Sequence, residues 1–216
     1  MNHMKFEKRT VKLHGSRTIY ILIPESGCDS IIATDDRLGS YYTFGNSTGY
    51  LLLTELFSVA AKLNQDEFIY VPLNFAYMDG AKTYFTGMDF HYTGIVLINY
   101  NRLQISAKDL KAALGIKIYV SDKTERRIHL PAEYIEHWKT RRRLTVKTHG
   151  KVLIISTNGN SFLDMAHSCD SLTVYNDDAK YNHYPAHMHH DMDENTAKSL
   201  GITFYYWQCP PQEVSI

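Results

Sequence analysis

The chain has 216 residues, of which 44% are hydrophobic and 21% charged, with 12 Gly and 6 Pro. That composition excludes wholesale disorder, a collagen-like chain and a disulfide-dense mini-protein, and the length suffices for one large domain or two small ones. Lys+Arg and Asp+Glu both number 23, so the formal net charge is zero and a globally basic nucleic-acid binder is excluded.

In chain order, Met1 to Arg9 holds no apolar run and does not read as a signal peptide, with Met4 as a candidate native start. Thr18 to Ile23 (TIYILI) is β-branched and aromatic and reads as a strand ending at Pro24. Ser30 to Thr34 and Tyr41 to Phe44 read as two short strands. Gly45-Asn46-Ser47-Thr48-Gly49 then breaks the chain with good N-cap chemistry. Leu52, Leu53, Leu56, Phe57, Ala60 and Leu63 recur at the spacing of an amphipathic helix. Phe68 to Leu73 and Gly94 to Tyr100 are the next strands, separated by a loop rich in Gly and Asp.

Ser106 is placed to cap a helix from Ala107 to Leu114, ended by Gly115. Lys117 to Ser121 reads as a strand. Pro131 opens a predicted helix from Ala132 to Arg142, with Arg141, Arg142 and Arg143 at its C-terminal end, where cations suit the helix dipole. Leu144 to His149 and Val152 to Ser156 read as a hairpin turning near Gly150. Phe162, Leu163, Ala166, Cys169 and Leu172 again recur at helical spacing, and Pro185 to Asp191 and Gly201 to Trp207 are the last predicted strands.

The second series resembles the first. A Gly-Asn break precedes each helix, and GIVLINY and GITFYYW close the two series in the same position. The expectation is an α+β fold made of two similar strand-strand-helix-strand-strand units lying side by side. Mainly antiparallel sheets would carry the helices on one face. Residues 1–100 hold the first unit, 101–143 a connecting segment, and 144–216 the second unit.

Charge is unevenly spread along these segments. Residues 101–151 carry 13 Lys/Arg against 5 Asp/Glu, and residues 152–216 carry 2 against 8. The two blocks either face each other or offer a docking surface to a charged partner. Arg126, Arg127 and Arg141 to Arg143 are the candidates for nucleic-acid contact. They lack interleaved aromatics and a recognisable motif, so nucleic acid is not the expected partner. Cys28, Cys169 and Cys209 are odd in number and widely spaced, which speaks against a disulfide framework or structural zinc. They read as reduced, buried thiols of a cytoplasmic protein. No apolar run approaches the length of a transmembrane helix, so no membrane span is expected.

His187-Met188-His189-His190-Asp191-Met192-Asp193 is the most conspicuous local feature. On a strand, His187, His189 and Asp191 share one face, and imidazole and carboxylate in that pattern can ligate a transition metal. The string resembles the HxHxDH motif of metallo-β-lactamase-type hydrolases, but Met192 stands where that motif has His, no Gly-Gly follows and little chain remains for further ligands, so that family is rejected. No nucleophile elbow, phosphate loop or dinucleotide fingerprint is present. The 16 Tyr, with Tyr205-Tyr206-Trp207 clustered, supply contact area suited to a protein partner. Tyr205, Trp207 and Arg141 to Arg143 are therefore the partner-binding candidates.

Gly45 to Leu56, continuing through Phe57-Ser58-Val59-Ala60-Ala61, resembles a pattern in small bacterial immunity proteins of polymorphic toxin systems. There a Gly-Asn turn leads into a Leu-rich helix and then a strand with polar alternation. The resemblance implies a cytoplasmic, non-catalytic protein that neutralises a toxin by binding it. Without a catalytic motif, the expected function is that of a binding protein occluding a protein partner. The alternative is a metal-dependent enzyme using His187, His189 and Asp191. No cofactor beyond such a metal is expected.

Overall fold

A computed structural model describes residues 3–13, 17–28, 30–35, 40–73, 88, 92–116, 119–131, 144–174, 187–190 and 201–207. They form eleven strands and three helices. The strands are β1 (His3–Lys12), β2 (Thr18–Pro24), β3 (Ile31–Asp35), β4 (Tyr41–Gly45), β5 (Glu67–Pro72), β6 (Gly94–Asn99), β7 (Val120–Arg127), β8 (Thr145–His149), β9 (Val152–Thr157), β10 (His187–His190) and β11 (Ile202–Tyr206). The helices are α1 (Ser47–Ala60), α2 (Ala107–Gly115) and α3 (Gly159–Thr173). The fold is mixed α+β, with mainly antiparallel sheets and helices packed against them.

The helix starts follow from local chemistry. Asn46 and Asn158 are extended, and each side chain accepts a hydrogen bond from a backbone N–H three residues on, Gly49 and Ser161. Ser106 caps α2 in the same way through Asp109 N. Gly49 allows α1 to begin hard against β3, because a Cβ there would lie 2.3 Å from the Ser30 carbonyl oxygen. α2 runs through Gly115, one residue past its expected end, and its last carbonyl bond comes from Ile116 N.

A four-stranded sheet in the order β10-β11-β4-β3 and a seven-stranded sheet in the order β7-β1-β2-β5-β6-β9-β8 enclose α1 and α3. Their facing sides make one core. Ile31, Ala33, Ile202 and Phe204 come from the small sheet, and Phe6, Leu22, Ile69, Val71, Leu97 and Ile155 from the large one. The helices touch along their length: Phe57 stacks on Phe162 at 5.9 Å, and Thr54 Oγ1 approaches the Ala166 carbonyl at 3.4 Å. On the far side of the large sheet, α2 lays Leu110 and Ala113 over Ile19, Ile21, Phe68, Val96 and Ile154.

The two segments do not lie side by side. Each sends one hairpin to each sheet, so they interleave. β3-β4 joins the small sheet, α1 follows, and β5-β6 joins the large one. β8-β9 joins the large sheet, α3 follows, and β10-β11 joins the small one. The order β3-β4-β11-β10 is matched by β8-β9-β6-β5, and the pairings run antiparallel, parallel, antiparallel in both. Register agrees as well. Gly45 faces Tyr206 and Thr157 faces Asn99, each one residue before a capping Asn. Beyond each pair the same bond follows, from Trp207 N to Gly45 O at 2.8 Å and from Tyr100 N to Thr157 O at 3.0 Å.

β1 was not expected, and its five charged residues explain why. Met4, Phe6 and Val11 are buried, while Lys5, Glu7, Lys8, Arg9 and Lys12 mask the alternation. β7, in the connecting segment, pairs with β1 and forms one end of the large sheet. The predicted helix Ala132 to Arg142 lies outside the described residues. Cys28 and Cys169 are buried, as expected, and Cys209 lies outside the described residues.

Two polar contacts inside this architecture yield tests. Glu67, 1% exposed, accepts from Arg126 Nη2 at 2.6 Å and from Asn64 N at 3.0 Å, with Lys8 Nζ at 3.5 Å. Glu67→Gln would leave two cations without their counter-charge. Complete burial would make that cost about 3–5 kcal/mol, but Arg126 and Lys8 reach solvent, so about 2–4 kcal/mol is expected from urea unfolding. Tyr92, 1% exposed, donates to Asp35 Oδ2 at 2.5 Å, tying the start of β6 to the end of β3. Burial, and then this bond to a carboxylate, push the Tyr92 hydroxyl well above its ordinary value of 10. A raised folded-state value stabilises the protein fully below the unfolded value, and the stability is lost as pH rises above it. Between pH 10 and 11 the native chain should lose about 1 kcal/mol more than Tyr92→Phe, measured as the difference in urea-unfolding free energy.

Candidate functional site

The outer face of the four-stranded sheet gathers most of the described residues with functional promise. On β10 the side chains alternate. His187 and His189 point outward and are exposed, while Met188 and His190 turn toward the helices. β11 lies beside β10 with His187 opposite Tyr205 and His189 opposite Thr203. The rings therefore meet in sequence. His187 is 4.7 Å from His189 and 5.0 Å from Tyr205, and Tyr205 is 5.3 Å from Phe44 and 5.9 Å from Tyr42. β10 is the last strand of its sheet among the described residues.

Beside this row, on the same face of the sheet, sits a small core of Ile32, Phe44 and Trp207, with Tyr42, Tyr205 and Met88 packed against it. Ile32 and Phe44 are 0% and 1% exposed, and Trp207 is 6% exposed. The Trp207 indole thus holds the sheet face together and offers little surface to a partner, whereas Tyr205 is half-buried and reachable. Tyr50 supports the row from below: its hydroxyl lies 2.6 Å from the Tyr205 carbonyl and 3.1 Å from the Thr43 carbonyl, spanning β4 and β11.

Thr203 fixes the orientation of one of the outward histidines. His189 Nδ1 lies 2.8 Å from Thr203 Oγ1, an arrangement that directs Nε2 away from the sheet. Two imidazoles at i and i+2 with one ring so oriented suit a borderline transition metal, with Thr203 in the orienting role that outer groups play around metal-bound histidine. Asp191, the expected third ligand, lies outside the described residues. Among the described residues no set of three or more His, Cys, Asp or Glu side chains is placed to hold a metal ion.

The remaining candidates separate. Arg141, Arg142 and Arg143 lie outside the described residues. Arg126, a candidate for nucleic-acid contact, is turned inward to Glu67 and bonded to Thr124 Oγ1 at 2.9 Å. Arg127 remains on the exposed side of β7. Two features escaped the sequence reading. His190 Nε2 lies 2.9 Å from Ser168 Oγ on α3, and its ring meets the Phe204 edge at 5.6 Å. Glu7 and Arg9 pair on one face of β1. In both cases the signal is strand alternation, legible only once the strand and its buried side are known.

No helix among the described residues is long and apolar enough to cross a membrane. Comparison with protein-family models, curated proteins and solved structures finds no match for the chain.

The inward and outward histidines should separate in a stability assay. His190→Ala breaks a partly buried contact between β10 and α3, so a loss of about 1–3 kcal/mol is expected in urea unfolding. His187→Ala and His189→Ala should each stay within about 0.5 kcal/mol of the native chain.

Proposed function

We propose that the protein is a non-catalytic, cytoplasmic binding protein that occludes a protein partner, in the way the resemblance to immunity proteins implies for a toxin. The observation that carries this reading is the outward row His187, His189, Tyr205 and Tyr42 on the four-stranded sheet. Its rings lie in contact with one another, and Tyr42 and Tyr205 pack against the buried Ile32, Phe44 and Trp207 beside them. Such a surface presents rigid, amphipathic rings that lose little side-chain entropy on binding, the chemistry enriched at the centres of protein interfaces. Packing against this cluster keeps the two tyrosines in place before any partner arrives, which lowers the ordering cost of association.

The metal-dependent reading has one observation in its favour, the His187–His189 pair with Thr203 orienting one ring. It would make the same face a metal centre, and the binding experiment separates the two. Affinity capture with the native chain from its own cells should recover one stoichiometric protein, unaffected by a chelator. Tyr205→Ala and His187→Ala together should reduce recovery at least about tenfold, since truncation of central aromatic anchors costs 2 kcal/mol or more at interfaces. The variant should stay folded with a modestly lowered melting temperature, because the Tyr205 ring also stacks on Phe44. Recovery of no partner removes the binding reading, undiminished recovery moves the interface off this face, and capture abolished by chelation favours the metal centre.

A further inference from the structure

A concavity lies away from the histidine row, between α2 and the outer side of the seven-stranded sheet. Its volume is about 200 Å³. Val11, Ile21 and Ile23 from β1 and β2 line the sheet side, and Ala113, Leu114 and Ile116 line the side of α2 and the segment after it. Three polar groups also line it: the Arg9 guanidinium and the rings of Tyr70 and Tyr119.

These groups are fixed in place. Arg9 Nε and Nη2 donate to Glu7 Oε1 and Oε2 at 2.8 and 3.0 Å, a bidentate pair, and the guanidinium lies 4.3 Å from the centre of the Tyr119 ring. Tyr70 projects from β5 across Gly94 of β6, where a Cβ would come within 2.5 Å of the ring, so the glycine makes room for the tyrosine. Burial pushes the Tyr70 hydroxyl above its ordinary value, which keeps it a neutral donor. Among the described residues, Arg9 Nη1 and the hydroxyls of Tyr70 and Tyr119 make no hydrogen bond within the protein.

Size and charge select the occupant. An engineered apolar cavity of about 150 Å³ holds benzene, so this space admits one ring or a short chain with a few further atoms. Glu7 neutralises Arg9, so the groove offers donors without net positive charge. An anionic ligand would meet the Glu7 carboxylate beside the guanidinium, whereas a neutral carbonyl would not.

We propose that this groove binds a small neutral molecule with a single ring or short acyl body in the aliphatic floor and a carbonyl oxygen facing Arg9, Tyr70 and Tyr119. The site uses none of the residues of the outward histidine row, so it stands or falls independently of the partner-binding reading.

Methyl NMR on the full chain tests this with benzamide and benzoate as probes. Benzamide should shift the methyls of Val11, Ile21 and Ile23 saturably, with little change at Ile32, and benzoate should bind more weakly. Tyr70→Phe should weaken benzamide about two- to tenfold, the net worth of one hydrogen bond. Leu114→Trp, which fills the groove, should abolish the shifts; if that variant does not fold, Tyr70→Phe decides. No saturable shift up to the solubility limit overturns the proposal, as do tighter binding of benzoate, an unchanged affinity in Tyr70→Phe, or shifts that persist in a folded Leu114→Trp chain.

Discussion

The structure depends on burying two helices against each other between two sheets. α1 and α3 have sheet on both sides, so few of their polar groups can rely on water. Thr54 Oγ1 therefore donates back to the Tyr50 carbonyl at 2.8 Å, Ser58 Oγ accepts from His129 N at 2.9 Å, and Asn99 Nδ2 donates to the Ala60 and Ala61 carbonyls, both at 3.2 Å. Each bond settles a group that would otherwise cost desolvation without return. The same requirement explains the two capping asparagines, because the first N–H groups of both helices point into the protein.

Once the helices are buried on both sides, each sheet is left with an outer face to manage, and the two faces are managed differently. The large sheet carries α2, with the groove beside Arg9 and Tyr70 next to it. The small sheet carries its own satellite cluster of Ile32, Phe44 and Trp207, and its margin bears the exposed histidines. By register, Tyr70 of β5 holds the position on the large sheet that His189 of β10 holds on the small one, since Val71 faces Ile95 and His190 faces Ile202. Corresponding strand positions thus supply a ring with a polar edge to each of the two surfaces that could meet another molecule.

Much of this was legible in the sequence where a single local rule governs. The break at Asn46 and the cap at Ser106 announced α1 and α2 because N-cap chemistry is local, and helical spacing from Phe162 to Leu172 announced α3. The β-branched runs announced β2, β6 and β9 because strands buried on both faces need continuous apolar residues. The alternation of His187 and His189 against His190 was also readable. What stayed hidden depends on distant partners. Lys8 and Arg126 became neighbours of a buried Glu67 through pairings of β1 with β7 and β2 with β5. Trp207 looked like contact surface and is instead buried with Ile32 and Phe44, which lie far away in the chain. The groove combines β1, β2, β5 and α2, and no local pattern marks it.

The parallel pairing of β4 with β11 also sets a timetable for synthesis. Tyr41 takes its partner Ile202 from a stretch made some 160 residues later, and at about 5–20 residues per second a ribosome needs on the order of ten seconds or more to deliver it. Until then Ile32 and Phe44 sit in a hairpin without its neighbour, exposed to whatever else the nascent chain meets. The arrival of β11 therefore decides when this molecule can first close.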